Sequence, residues 1–108
     1  MSAVTTHVLD AARGRPAEGI AVQLRTAEGA PLAEGVTNAD GRIGELGPEQ
    51  LDAGDYLLTF ATGEYFAARQ VDTFYPEVSI TFRIADPAQH HHVPLLLSPF
   101  AYSTYRGS

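Results

Sequence analysis

The chain has 108 residues, 44% of them hydrophobic, with a formal net charge of −6 and no cysteine. That length suits one domain, residues 1–108, able to bury about two-thirds of its unfolded surface, and no apolar run is long enough to span a bilayer. The negative balance argues against a nucleic-acid or anionic-membrane partner, since both reward basic patches, and stability must come from packing or oligomerisation rather than from disulfides.

All seven basic residues are arginines, each offering a planar fork suited to carboxylate-like or amide-like edges. The N-terminal residues carry no basic flank followed by an apolar stretch, so no export signal is read and a cytoplasmic location is expected.

Strand signals begin at once. Val4, Thr6 and Val8 alternate with Thr5, His7 and Leu9, the period of a half-buried strand. Residues 10–16, with Gly14 and Pro16, supply a turn-rich break. Ile20, Val22 and Leu24 alternate in a second strand, residues 27–31 turn, and a third strand covers 32–37. Asn38-Ala39-Asp40-Gly41 is a turn signal, with Arg42 immediately after it. Tyr56, Leu58 and Phe60 form a further strand, and residues 63–70 are the best helix candidate, about two turns.

Val78, Ile80, Phe82 and Ile84 give the cleanest amphipathic strand, and residues 90–97 and 101–106 complete seven or eight. This count predicts an all-β sandwich, because an α/β fold needs helices between parallel strands. The chain stops on Arg106-Gly107-Ser108 straight after the final strand, so its last residues are expected to be structural or functional parts.

Four histidines are the main chemical resource. On a strand His90 and His92 share a face, roughly 6.5–7 Å apart, while His91 points the other way. The H-x-H spacing admits a metal, with His7 as a third imidazole, although no cysteine or nearby acidic residue supports it. His7 lies off the Val4–Thr6–Val8 face, where a partly exposed strand histidine is the ordinary reading. Two imidazoles acting together open another: one takes a proton from water and the other gives one to a leaving nitrogen. Arg42, projected from a turn, would hold a substrate and a developing oxyanion. There is no G-x-S-x-G elbow, no phosphate-binding glycine loop, no H-E-x-x-H and no EF-hand spacing.

Five segments carry a resemblance over nearly the whole chain: T-H-V-L-D at 6–10, G-R-P-A at 14–17, T-N-A-D-G-R at 37–42, H-H-H-V-P-L-L-L-S-P at 90–99 and Y-R-G-S at 105–108. In this order they resemble the 5-hydroxyisourate hydrolase family, the transthyretin-like enzymes of urate breakdown. The resemblance implies a transthyretin-like (prealbumin-like) β-sandwich of two four-stranded sheets with one short helix, assembling as a homotetramer, a dimer of dimers with sites at the dimer–dimer interface. It implies hydrolysis of 5-hydroxyisourate to 2-oxo-4-hydroxy-4-carboxy-5-ureidoimidazoline without metal or other cofactor. His7 resembles the first active-site histidine, Arg42 the substrate-binding arginine, and His92 the second histidine. Tyr105 and Ser108, from the terminal tetrapeptide, would approach the same pocket.

The first and penultimate strands would then be sheet neighbours, with His7 beside His92 on the outer face and Ser103 and Tyr105 joining them. His91 departs from the pattern, where an aromatic such as tyrosine is more usual. Facing away from His92, it is expected to have little effect on activity. Three alternatives stand beside this reading. They are a transthyretin-type carrier of thyroid hormone, a metal-binding sandwich using His7, His90 and His92, and a purely structural adhesion or carbohydrate-binding sandwich.

Overall fold

The computed structural model describes residues 2–108. Alternation in the sequence becomes burial in the structure. Strand β1, Val4–Asp10, turns Val4, Thr6, Val8 and Asp10 inward and leaves Thr5, His7 and Leu9 on the other face. Inward Thr6 and Asp10 are polar, and each is satisfied where it lies, as buried polar groups must be. Thr6 Oγ1 donates to the Val93 carbonyl at 2.6 Å. The Asp10 carboxyl accepts from the Tyr65 hydroxyl at 2.8 Å and from the Arg13 backbone N–H at 3.1 Å.

The remaining strands are β2 (Arg15–Pro16), β3 (Ala21–Thr26), β4 (Pro31–Val36), β5 (Arg42–Ile43), β6 (Gly54–Phe60), β7 (Val78–Ile84), β8 (His91–Ser98) and β9 (Ala101–Thr104). One sheet runs β2-β1-β8-β9, with β5 also paired to β1; the other runs β4-β3-β6-β7. Two sheets with one short helix match the architecture that the resemblance implies, the second sheet with four strands and the first with five rather than four. The first sheet adds two 2-residue strands that alternation cannot reveal: β2 inside the supposed turn at 10–16, and β5 just after the 38–41 turn. They lie end to end along one edge of β1, which pairs Leu9 with Pro16 and His7 with Arg42. Val22, Leu24, Leu58, Phe60, Leu95 and Leu97 fill the space between the sheets and are fully or almost fully buried.

Helix α1 spans Thr62–Ala68 rather than 63–70. Its end is a Schellman motif: Gln70 N–H bonds Ala67 O at 3.1 Å, and Val71 N–H bonds Phe66 O at 3.0 Å. Gln70 occupies the left-handed position at φ 58°, where glycine is usual, so no sequence signal marks the stop. Tyr65 and Phe66 face inward, and the Arg69 guanidinium lies 3.8 Å from the Tyr65 ring centroid.

The final strand ends two residues before its expected limit. Leu95 pairs with Thr104 and His92 bridges Gly107 in the same register, which sets Tyr105 opposite Pro94. Pro94 has no N–H to give the ladder, and its carbonyl is taken by Thr104 Oγ1 at 2.7 Å. Among the described residues no helix is long and apolar enough to cross a membrane.

The Asp10–Tyr65 bond ties the end of β1 to the helix. Tyr65→Phe leaves a buried carboxyl short of a partner, so we expect a loss of about 1–3 kcal/mol of unfolding free energy. Urea denaturation should show a lower midpoint at an unchanged slope.

Candidate active site

The outward residues of the first sheet form an open cleft of about 580 Å³, lined by Thr5, His7, Arg42, His90, His92, Pro94, Tyr105, Gly107 and Ser108 among others. Such a volume suits a small molecule. The sequence-predicted residues His7, Arg42, His92, Tyr105 and Ser108 all meet there. Ser103 pairs with Leu96 on the same outer face but does not line the cleft.

Strand pairing explains the convergence. β1 and β8 run parallel with Thr5 opposite His92 and His7 opposite Pro94. Residues of equal parity share a face, so His7 and His92 are diagonal neighbours. Arg42 lies directly opposite His7 in the antiparallel β1–β5 pair.

The 38–41 turn sets Arg42 firmly. Asn38 Oδ1 accepts from the backbone N–H groups of Asp40 at 2.9 Å and Arg42 at 3.0 Å. The Gly41 carbonyl accepts from Val8 N–H at 2.7 Å. Gly41 is left-handed at φ +74°, and a Cβ there would stand 2.3 Å from the Val8 carbonyl oxygen. Only glycine fits this close approach.

The chain end is equally constrained. Gly107 N–H donates to the His92 carbonyl at 2.8 Å, and a Cβ on Gly107 would meet His92 Cδ2 at 2.5 Å. Glycine therefore lets the terminal backbone press against the His92 ring. On the ring's other side Thr5 Oγ1 lies 2.8 Å from His92 Nδ1 and also 2.8 Å from His90 Nε2. With Nδ1 engaged, Nε2 is the His92 nitrogen available to a molecule in the cleft.

Burial and neighbouring charge lower the proton affinity of both histidines. Burial, and then the Arg42 guanidinium, hold the His7 imidazole below its ordinary value, with Asp40 opposing. Burial lowers His92 as well, followed by Arg42, His7 and His90. A neutral imidazole is the form that accepts a proton.

His91 faces away from the cleft, as its parity requires. It is 4% exposed, and its Nδ1 has no hydrogen-bond partner. The metal alternative lacks its geometry: among the described residues no group of three His, Cys, Asp or Glu side chains is placed to hold an ion. The ring nitrogens His90 Nε2 and His92 Nδ1 turn to the Thr5 hydroxyl instead of a common centre.

Sequence reasoning gave Thr5 no role, although it had a usable signal, being two residues from His7 on the same strand face. Gly107 was marked only as part of the terminal Y-R-G-S segment, because its contact is with a ring distant along the chain.

Residues 4–107 match the model of the HIUase/Transthyretin family. A 5-hydroxyisourate hydrolase of Mus musculus is 47% identical over 114 residues, covering 99% of this chain and 96% of its own. The solved 5-hydroxyisourate hydrolase of Klebsiella pneumoniae superposes with a TM-score of 0.90 at 44% identity, covering 97% of this chain and 98% of that one. Sea bream transthyretin, solved in complex with thyroxine, superposes at 0.88 with 34% identity, covering 96% and 93%. With the family model spanning nearly every residue and a full-length relative almost half identical, the chain belongs to the HIUase/Transthyretin family.

Proposed function

We propose that the chain, as one 1–108 unit, hydrolyses 5-hydroxyisourate to 2-oxo-4-hydroxy-4-carboxy-5-ureidoimidazoline, a step of urate breakdown. The observation that carries this reading is the meeting of two imidazoles of lowered proton affinity and one guanidinium in one small-molecule cleft. Relatives named for the same activity and matched over 96% and 100% of their own length support it.

Water attacks the ring carbonyl carbon, the C–N bond breaks, and the proton lost by water ends on the departing nitrogen. His7 and His92 position and deprotonate the water. Arg42 binds the substrate and stabilises the oxygen as it becomes negative, its planar fork offering paired donors. Tyr105 and Ser108 close and orient the site. No cofactor enters this scheme. The carrier alternative has the shared fold behind it, but a slot for apolar aromatic rings accords poorly with a cleft lined by His7, Arg42, His90 and His92.

The same proposal makes the protein a homotetramer, a dimer of dimers with clefts facing each other at the dimer–dimer interface. Outer strand β9 is exposed along its length. Beside it an aromatic run of Phe74, Tyr75 and Tyr102 stacks edge to face at 5.1 and 5.0 Å. Phe74 is 70% and Phe100 66% exposed. A bare strand edge next to exposed aromatic rings favours a second copy, and facing clefts would restrict water and strengthen charged hydrogen bonds. A cytoplasmic location belongs to the proposal too.

The direct test generates 5-hydroxyisourate from urate and follows its disappearance against the spontaneous rate. Acceleration is expected; decay at the spontaneous rate overturns the reading. His7→Asn and His92→Asn should each retain the fold and lower kcat by about 10² to 10⁴, and near-normal turnover in both would refute their roles.

The pH profile carries a sign. Both histidines act neutral and both have lowered values, so the acid limb of kcat/KM should fall below about pH 6.5, the ordinary imidazole value. Arg42→Gln removes a lowering charge and should move that limb to higher pH as well as reduce the rate. Light scattering should give four chains per particle, and a fully active monomer would overturn the interface placement.

A further inference from the structure

One hydroxyl stands between two of the cleft's imidazoles, and nothing in the scheme above uses it. The geometry points to Thr5 as a proton-relay hydroxyl joining His92 in the cleft to His90 at its rim, so that His90 holds the positive charge while His92 stays neutral. This inference rests on the hydrolytic reading and deepens it.

Thr5 sits opposite His92 in the parallel register, and its Oγ1 lies 2.8 Å from both His92 Nδ1 and His90 Nε2. A hydroxyl has one proton to donate and two lone pairs to accept with. Flanked by two imidazole nitrogens, it makes both bonds only when at least one nitrogen carries hydrogen. In one arrangement His90 Nε2–H donates to Thr5 and Thr5 donates to His92 Nδ1. In the other His92 Nδ1–H donates to Thr5 and Thr5 donates to His90 Nε2. The first leaves His92 with hydrogen on Nε2, as an acid; the second leaves Nε2 bare, as a base. Two short proton shifts through Oγ1, coupled to gain or loss of the Nε2 proton on the cleft side, interconvert them.

Charge placement gives the relay its direction. A cation on His92 would face Arg42 from β5 and His7 from β1 within a partly buried cleft. A cation on exposed His90 is screened by solvent.

The cycle balances. Bare His92 Nε2 takes a proton from the attacking water. The His92 Nδ1 proton moves to Thr5 as the Thr5 proton moves to His90 Nε2, leaving His92 neutral with Nε2–H and His90 charged. His92 Nε2–H then protonates the leaving nitrogen in concert with the return of charge: His90 gives its Nε2 proton to Thr5 as Thr5 gives its own to His92 Nδ1, so no imidazolate forms and both rings regain their starting state. The proton taken from water has gone to the departing nitrogen, and one histidine has served as base and then as acid.

Thr5 and His90 are thus positioning residues acting through His92. Thr5→Val keeps the shape and strand preference of threonine without the hydroxyl, and Thr5→Ser keeps the hydroxyl. The experiment measures kcat, KM and the proton inventory in H2O/D2O mixtures on freshly generated 5-hydroxyisourate. Thr5→Val and His90→Gln should each lower kcat about 10- to 100-fold with KM within about twofold. The inventory, bowed in the wild type, should become linear in Thr5→Val. Thr5→Ser should recover most of the lost kcat and the bowed inventory.

A Thr5→Val enzyme matching the wild type in kcat and inventory overturns the relay while the hydrolytic reading stands. Equal losses in Thr5→Val and Thr5→Ser also overturn it, because the methyl packing and not the hydroxyl would then matter. A wild type that fails to accelerate the decay overturns both.

Discussion

The parallel register of β1 against β8 is the constraint on which the cleft depends. Val4 opposes His91, Thr5 opposes His92 and His7 opposes Pro94. A slip of one residue would exchange the two faces of β1, driving His7 and Thr5 into the core and Thr6 and Val8 outward. The interior forbids that slip. Val4 and Val8 are fully buried, Thr6 bonds the Val93 carbonyl on β8, and Asp10 points inward to bond Tyr65 on α1. The polar outer face is therefore fixed by the apolar and hydrogen-bonded inner one.

Charge follows the same division. The chain is acidic overall at −6, yet no Asp or Glu side chain lines the cleft, which holds Arg42 and three histidines. The Arg42 charge gives the cleft a local positive field that favours an anionic or carbonyl-rich molecule there. That field also explains why neutrality of the imidazoles and binding by the guanidinium are coupled: Arg42 depresses the proton affinity of both histidines it would serve.

The long elements were legible because alternation over six or seven residues has one physical meaning, a strand with a single buried face. Thus β1, β3, β6 and β7 were readable within a few residues, as were His7, Arg42 and His92 once the motif order was seen. What was hidden depended on contacts remote in sequence. Two-residue strands β2 and β5 are too short to show a period, and they exist because β1 offers them an edge. The end of α1 carries Gln70 where glycine would have signalled a stop. The end of β9 was misplaced because Pro94, which interrupts the ladder, is on the neighbouring strand.

Fold likeness does not separate a hydrolase from a thyroxine-binding transthyretin, since the chain superposes on examples of both almost equally well. The decision falls to the outer face, where function is grafted on a shared frame. There two glycines act through what they lack: a Cβ on Gly41 would collide with the Val8 backbone and disturb the turn that aims Arg42, and one on Gly107 would push into the His92 ring. Thr5 then fixes which nitrogen of that ring meets the cleft. Holding a passive ligand needs none of these close approaches. The proposed hydrolysis, which would direct a guanidinium and an imidazole at one reacting atom, needs all three, because proton transfer and oxyanion stabilisation both weaken steeply with a misplacement of about 1 Å.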